Sequence, residues 1–206
     1  MVNSMAYKPM KFTIISLNFN GRKFLGELLD AHIKSLLNLN YENYEIIFAD
    51  NGSIDDSVEY VKSKYSSRLL RIVRLGKNHG FARGNNLAAR FSSEDSDILV
   101  FINTDTIVDK NFLKELAKAF EQNPRLGIAQ PLLIDMDTGM IQYLGGFADI
   151  WGRSMTIGSQ NDKRKNKILS TMMKIGRLRV CWAYGAVLAI RKRLFFNIGG
   201  FNELFK

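Results

Sequence analysis

Between residues 12 and 122, four apolar runs are each followed by a stretch of helical periodicity, and this alternation leaves few architectures open. "FTIISL" at 12–17 has no polar break beyond Thr13 and Ser16, the pattern of a strand covered on both faces. Residues 22–37 then carry Phe24, Leu25, Leu28, Leu29, Ile33, Leu36 and Leu37 at helical spacing. "YEIIFAD" at 44–50 precedes "SIDDSVEYVKSKY", where Ser53 is the expected N-cap and Asp55 and Asp56 suit the first turn. "LLRIVRL" at 69–75 precedes a helix expected over 81–91, and "DILVFI" at 97–102 one expected over 111–122 with Asp109 as its cap. Strand and helix alternating in this way predict an α/β fold with a mostly parallel, doubly wound sheet flanked by helices. With 206 residues the chain has the size of one domain.

The pattern loosens after residue 122. "GIAQPLLI", broken by Pro131, predicts a fifth strand within 126–134, and "TGMIQYLGG" a turn and a short strand. Residues 151–177 are polar and basic without periodicity, and read as a mobile loop with one short helix. "VCWAYGAVLAIRKRLFFNIGGF" predicts a strand of about ten residues running into a basic helical turn closed by Gly199 and Gly200.

Charge and cysteine content narrow the classes of function. The net charge of +9 is concentrated toward the C-terminus, with "KRKNK" at 163–167 and "RKR" at 191–193. Such clusters suit phosphates or acidic lipids, and equally a solvated face with no specific partner. No nucleic-acid recognition motif or aromatic-basic platform accompanies them, so nucleic acid is not an expected partner. The single cysteine, Cys181, allows no intramolecular disulfide, which suits a reducing cytoplasm. No 18-residue apolar run is present and "MVNSMAYKPMK" lacks the hydrophobic core of a signal peptide. The expectation is a cytoplasmic protein whose basic region meets the inner face of an anionic membrane peripherally.

In an open parallel sheet, ligands bind beyond the carboxyl ends of the strands. The residues there are Asn18, Phe19 and Asn20; Asp50, Asn51 and Gly52; Asn78, His79 and Gly80; and Asn103, Thr104 and Asp105. Each set by itself is ordinary turn chemistry; four sets at one sheet edge point to a polar ligand. Neither GxxxxGK[ST] nor GxGxxG follows the first strand, which disfavours a P-loop or a dinucleotide cofactor. Asp105 ends the run "ILVFINTD", where a carboxylate is costly without a positive partner. Mg²⁺ or Mn²⁺, sharing its coordination with phosphate oxygens and water, would supply one.

The ordered set "IISLNFNG", "FADNGSIDDS", "NHGFARGNN" and "FINTDT" resembles the nucleotide-sugar-binding half of inverting glycosyltransferases of family 2, which have the GT-A fold. "NHGFARGNN" is most similar to the rhamnosyltransferase-like branch, and "TGMIQYLGG" and "YGAVLAIRKRLFFNIGGFNELF" to its acceptor-side segments. The resemblance implies a nucleotide-sugar-binding half over residues 1–150 and a partial acceptor-side half of the same domain over 151–206. It implies that Ser16 and Asn18 line the nucleotide pocket, that Asp50 accepts a hydrogen bond from the base, and that Asn78, Gly80, Arg83 and Asn85 border the nucleotide and diphosphate. Asn103 would contact the nucleotide sugar or metal-bound water, and Asp105 would bind the divalent metal. The donor would be a nucleoside-diphosphate sugar, and the acceptor a glycan or lipid-linked sugar of cell-surface polysaccharide synthesis.

One part of the family pattern is missing. Members continue after "GGFxExF" into an acidic pair that holds the catalytic base, whereas this chain stops at Lys206 and reads "GGFNE". The expectation is a fragment of a longer transferase; the alternative is a homologue that binds nucleotide sugar without transferring it. Glu203 and Asp149 are the acids left to stand in for the base.

Overall fold

The computed structural model describes residues 8–143, 145–148, 154–157, 180 and 183–204. They form two compact units: residues up to 129 together with those from 189 onward, and residues 130–188.

The first unit is built on a six-stranded sheet. Its strands are β1 (Phe12–Asn18), β2 (Tyr44–Asp50), β3 (Leu70–Arg74), β4 (Ile98–Asn103), β5 (Ile128–Ala129) and, late in the chain, β10 (Val187–Arg191). They lie in the order β3-β2-β1-β4-β10-β5. β3, β2, β1 and β4 are parallel, and β10 runs antiparallel to β5. Lys192, just past β10, donates its N–H to Asp97 at the start of β4, so β10 also runs against β4.

Helices α1 (Gly21–Leu25), α2 (Glu27–Leu37), α3 (Ser57–Lys64), α4 (Gly80–Ala89) and α5 (Phe112–Gln122) fill the crossovers, and α6 (Lys192–Asn197) follows β10. The period of two in the strands divides the core into two layers. Ile15, Ile47, Leu99 and Phe101 pack with Ala88 and Ala89 of α4 and Phe195 of α6. On the other side Phe48 packs with Leu29 and Ile33 of α2 and Val61 of α3. Burial of each such side chain stabilises the fold by about 1.5–3 kcal/mol.

The predicted single helix over 22–37 is two helices, because Gly26 sits at φ 55°, ψ −118°. Only glycine adopts that conformation without steric cost. The third helix starts at Ser57 and not at an N-cap on Ser53, whose hydroxyl is engaged elsewhere. Asp55 meets the helix start instead, accepting from the Ser57 N–H and hydroxyl. The N-cap of α5 is Asn111 and not Asp109, which stands two residues ahead of it and accepts the Asn111 N–H. The last long strand is five residues, not ten; Cys181 and Trp182 lie outside the described residues.

In the second unit, β6 (Leu133–Ile134) pairs antiparallel with β7 (Ile141–Tyr143). Pro131 therefore separates two short strands, β5 and β6, that belong to different sheets. Asp135 Oδ1 closes the intervening turn by accepting the Thr138 N–H and hydroxyl, which holds its carboxyl below the usual range. β8 (Gly145–Ala148) pairs antiparallel with β9 (Ser154–Ile157), a strand inside the segment expected to be a loop. The rest of that expected loop, with its "KRKNK" cluster, lies outside the described residues, as does Asp149.

Candidate functional site

The sheet register gathers the polar strand ends around β1. Asn18 aligns with Asp50 of β2, and Leu17 with Asn103 of β4. Both aspartates of interest therefore follow strands that flank the same central strand.

On the β2 side the polar residues bind one another. Asn18 Nδ2 donates to Asp50 Oδ1 (3.2 Å) and Ser53 Oγ (3.0 Å), and Ser53 N–H donates to Asp50 Oδ2 (3.1 Å). Asn20, held at φ 53°, donates its N–H to Ser53 Oγ (2.8 Å) and accepts the Ile54 N–H at its amide oxygen (2.8 Å). Arg22 and Lys23 N–H groups go to Ser57 Oγ and Asp55 Oδ2. The loops after β1 and β2 are thereby laced together before any ligand arrives. Asn18 Oδ1 is buried with no hydrogen-bond partner among the described residues.

Asp50 is 4% exposed, and each oxygen keeps a lone pair after these bonds. It lines a cavity of about 230 Å³ with Gly52, Ser53, Asp55, Arg74 and Gly76. Gly52, at φ 81°, lets this loop pass within 2.5 Å of where a Cβ would meet the Lys77 backbone, a fit that no side chain permits. A wider groove of about 690 Å³ runs along edge strand β3 past Lys62, Tyr65 and Arg74. None of the strand-end polar residues lines it, so the smaller cavity is the chemically relevant one.

The β3–α4 turn is tied to β2 through Asn51. Its Oδ1 accepts the His79 N–H (3.0 Å), and its Nδ2 donates to Asn78 Oδ1 (3.1 Å) and Gly80 O (3.2 Å). Asn78 Oδ1 also accepts the Gly80 N–H (2.8 Å). Asn85 is buried and donates to Phe81 O within α4. Arg83, one turn into α4, is exposed, with its Nε 3.8 Å from Glu203 Oε2. Glu203 also accepts from Asn86 Nδ2 (3.0 Å), and Asn86 exchanges two further bonds with the Phe201 backbone. Asn86 is the last residue of "NHGFARGNN", and nothing in its sequence position distinguishes it from Asn85.

The end of β4 is different. Thr106 N–H closes a turn onto Asn103 O (3.3 Å), and Asp105 stands exposed on it with one long contact, from Thr106 Oγ1 at 3.5 Å. From behind, His32 of α2 reaches this turn: Nδ1 lies 2.5 Å from Thr106 O, and Nε2 lies 2.8 Å from Ser16 Oγ. Ser16 is fully buried on the α2 side of β1. Burial lowers the His32 pKa from an ordinary 6.5 to about 4, so the ring is neutral at pH 7. His32 was not singled out from the sequence, although it occupies the otherwise aliphatic stripe of Leu29, Ile33 and Leu36.

Among the described residues no three His, Cys, Asp or Glu side chains cluster to hold a metal. Asp105 offers one free carboxylate, which fits a hard divalent ion that takes its remaining ligands from diphosphate and water.

The family model "Glycosyl transferase family 2" matches residues 13–185. The chain belongs to that family. The matched span includes every strand end described above and excludes Glu203. Among curated relatives, the chain is 32% identical over 121 residues to the "Uncharacterized glycosyltransferase YfnE" of Bacillus subtilis, covering 57% of this chain and 29% of that protein. It is also 25% identical over 115 residues to the poly(ribitol-phosphate) beta-N-acetylglucosaminyltransferase TarS of Staphylococcus aureus, covering 55% of this chain and 19% of that one.

Solved structures of the family share the fold. A crystal structure of S. aureus TarS residues 1–349 in complex with UDP matches with a TM-score of 0.64 at 17% identity, over 96% of this chain and 52% of that one. The mannosyltransferase PcManGT of Pyrobaculum calidifontis, in complex with GDP-Man and Mn²⁺, matches with a TM-score of 0.62 at 16% identity, over 96% and 49%. The α/β architecture is therefore that of GT-A glycosyltransferases. The chain spans less than a third of these curated relatives and about half of the solved chains.

Proposed function

We propose that this chain binds a nucleoside-diphosphate sugar at the carboxyl ends of β1, β2 and β4, and takes part in metal-assisted, inverting transfer of the sugar to a glycan or lipid-linked acceptor. The observation that carries this reading is the pair of aspartates on either side of β1. Asp50 is buried and oriented beside a small cavity, and Asp105 is exposed and free. A fixed carboxylate suits the imide N–H of a pyrimidine base or the N1–H of guanine; a free one suits a cation neutralising the diphosphate.

Displacing the sugar requires the leaving diphosphate's charge to be offset; Asp105 would hold a Mg²⁺ or Mn²⁺ that supplies this charge, and exposed Arg83 would add to it. Asn78, Gly80 and Asn85 shape the turn and helix that carry Arg83, and Asn103 begins the turn that carries Asp105. Transfer further needs a base for the acceptor hydroxyl. Glu203 already accepts from Asn86 Nδ2 and faces Arg83 at 3.8 Å, contacts it would have to give up to reach an acceptor hydroxyl. That arrangement favours, as a second reading, a chain that holds the donor without transferring the sugar.

"NHGFARGNN" supports a place in the rhamnosyltransferase-like branch of the family. Among the described residues no helix is long and apolar enough to cross a membrane, and the basic C-terminal sequence supports peripheral contact with anionic lipid on the cytoplasmic side. Calorimetry with UDP and with GDP, each with Mn²⁺ and with EDTA, tests the binding reading. Metal-enhanced binding of either nucleotide is expected, and no binding of both would reject it. Release of nucleoside diphosphate from the sugar donor separates transfer from binding alone.

A further inference from the structure

We propose that His32 is a positioning residue for Asp105, acting on the Asp105 turn from inside the core, and that Ser16 acts through it. This rests on the nucleotide-and-metal reading of the site. His32 is fully buried on α2 among Leu29, Ile33 and Leu36, a place where an aliphatic side chain would pack without polar atoms to satisfy. A buried imidazole is tolerated there only if both nitrogens are engaged, and both are.

The bonding also fixes the tautomer. The Thr106 carbonyl can only accept, so Nδ1 carries the proton and donates to it at 2.5 Å. Nε2 is then the acceptor, and the Ser16 hydroxyl donates to it at 2.8 Å. A continuous chain of bonds thus runs from β1 through α2 to the residue after Asp105.

Thr106 is held on both sides, its N–H by Asn103 O and its carbonyl by His32. One helical turn later Ser35 Oγ accepts the Val108 N–H (3.2 Å) while donating to His32 O (2.8 Å). The exposed face of the same turn gives Asp105 no comparable support. The turn that carries Asp105 is therefore held from its buried side, by α2. A neutral ring is the form that can donate from one nitrogen and accept at the other.

The test is calorimetry of the whole chain with UDP and with GDP, in Mn²⁺ and in EDTA, for wild type, His32→Phe, His32→Asn and His32→Gln. His32→Phe keeps a ring but makes neither bond, and is expected to lose about tenfold of the Mn²⁺-dependent gain in affinity while binding in EDTA is unchanged. The Asn amide nitrogen stands near the position of Nδ1 and can still donate to Thr106 O, so His32→Asn should keep most of the gain. The Gln amide extends toward Ser16, so His32→Gln should lose it.

A full Mn²⁺-dependent gain in a folded His32→Phe would overturn the proposal. If His32→Phe does not fold, equal behaviour of the Asn and Gln variants would overturn it. A wild-type chain that binds nucleotide with no Mn²⁺-dependent gain would reject the metal reading of the site and this proposal with it. Altered gain in the variants of a metal-responsive wild type separates the two.

Discussion

Two aspartates end two strands on either side of β1, and the protein treats them in opposite ways. Asp50 is almost fully buried and receives one N–H on each oxygen, from Asn18 and Ser53, inside a network that also fixes Asn20 and Ile54. Asp105 is exposed and, among the described residues, meets only the Thr106 hydroxyl at the limit of a hydrogen bond. One carboxylate is fixed in place by the protein with a lone pair to spare on each oxygen, while the other waits for a ligand to hold it. Preorganised groups suit the invariant part of a nucleotide's recognition, and an open one suits a cation that arrives with the diphosphate.

The contrast predicts a ladder of effects on stability. Asp50→Ala should cost the most, about 3 kcal/mol, because it strands one N–H of buried Asn18 Nδ2 and the N–H of half-buried Ser53, at about 1–3 kcal/mol each. Urea denaturation should show it, and calorimetry should show nucleotide binding lost with and without metal. A variant with wild-type stability would mean that the lacing around Asp50 contributes little.

Acidification should act next, through His32. Its folded pKa, about 4, lies below the ordinary 6.5, so the unfolded chain takes up the proton first as pH falls. Stability from this group is full above about pH 6.5, declines between 6.5 and 4, and is lost below 4, by about 3 kcal/mol in total. The difference between wild type and His32→Phe across that window isolates it. A difference that does not vary with pH would show that the ring is not held neutral.

Asp105→Ala should leave stability within about 0.5 kcal/mol, because an exposed side chain without strong partners is being removed. Yet it should abolish the Mn²⁺-dependent gain in nucleotide affinity. A large loss of stability here would erase the difference between the two aspartates. Smallest of all, Glu203→Gln should change stability by less than about 0.5 kcal/mol, since its contact with Arg83 is exposed and 3.8 Å long. Thermal melts suffice to check both.

Much of the fold was legible because the central strands are covered on both faces and therefore read as unbroken apolar runs. The bounds expected for β2 are those observed, β1 runs one residue further, and β3 and β4 differ by one residue at each end. Helix ends were harder, since they are decided by tertiary bonds. Ser53 has the side chain of an N-cap, but Asn18 and Asn20 claim its hydroxyl. Gly26 was visible, yet only its positive φ shows that it splits a helix.

At the site, sequence position picked out both aspartates, because the carboxyl edge of a parallel sheet is where ligands bind. It did not distinguish them, since burial at a strand end depends on the neighbouring loops. Ser16 was expected beside the nucleotide; the period of two along β1 turns it toward α2, where it meets His32. His32 itself looked like part of an apolar helix stripe, and only the path of the residue 103–108 turn over α2 reveals its partner.

The central claim, that Asp50 is fixed in place without ligand and Asp105 is not, is tested most directly by titrating Mn²⁺ into the whole chain and counting free ion by electron paramagnetic resonance, with and without UDP or GDP. The account predicts weak Mn²⁺ binding to the protein alone, binding at least about tenfold tighter when nucleotide is present, and loss of that increment in Asp105→Ala. Tight Mn²⁺ binding to the protein without nucleotide, or an affinity indifferent to both nucleotide and Asp105, would contradict it.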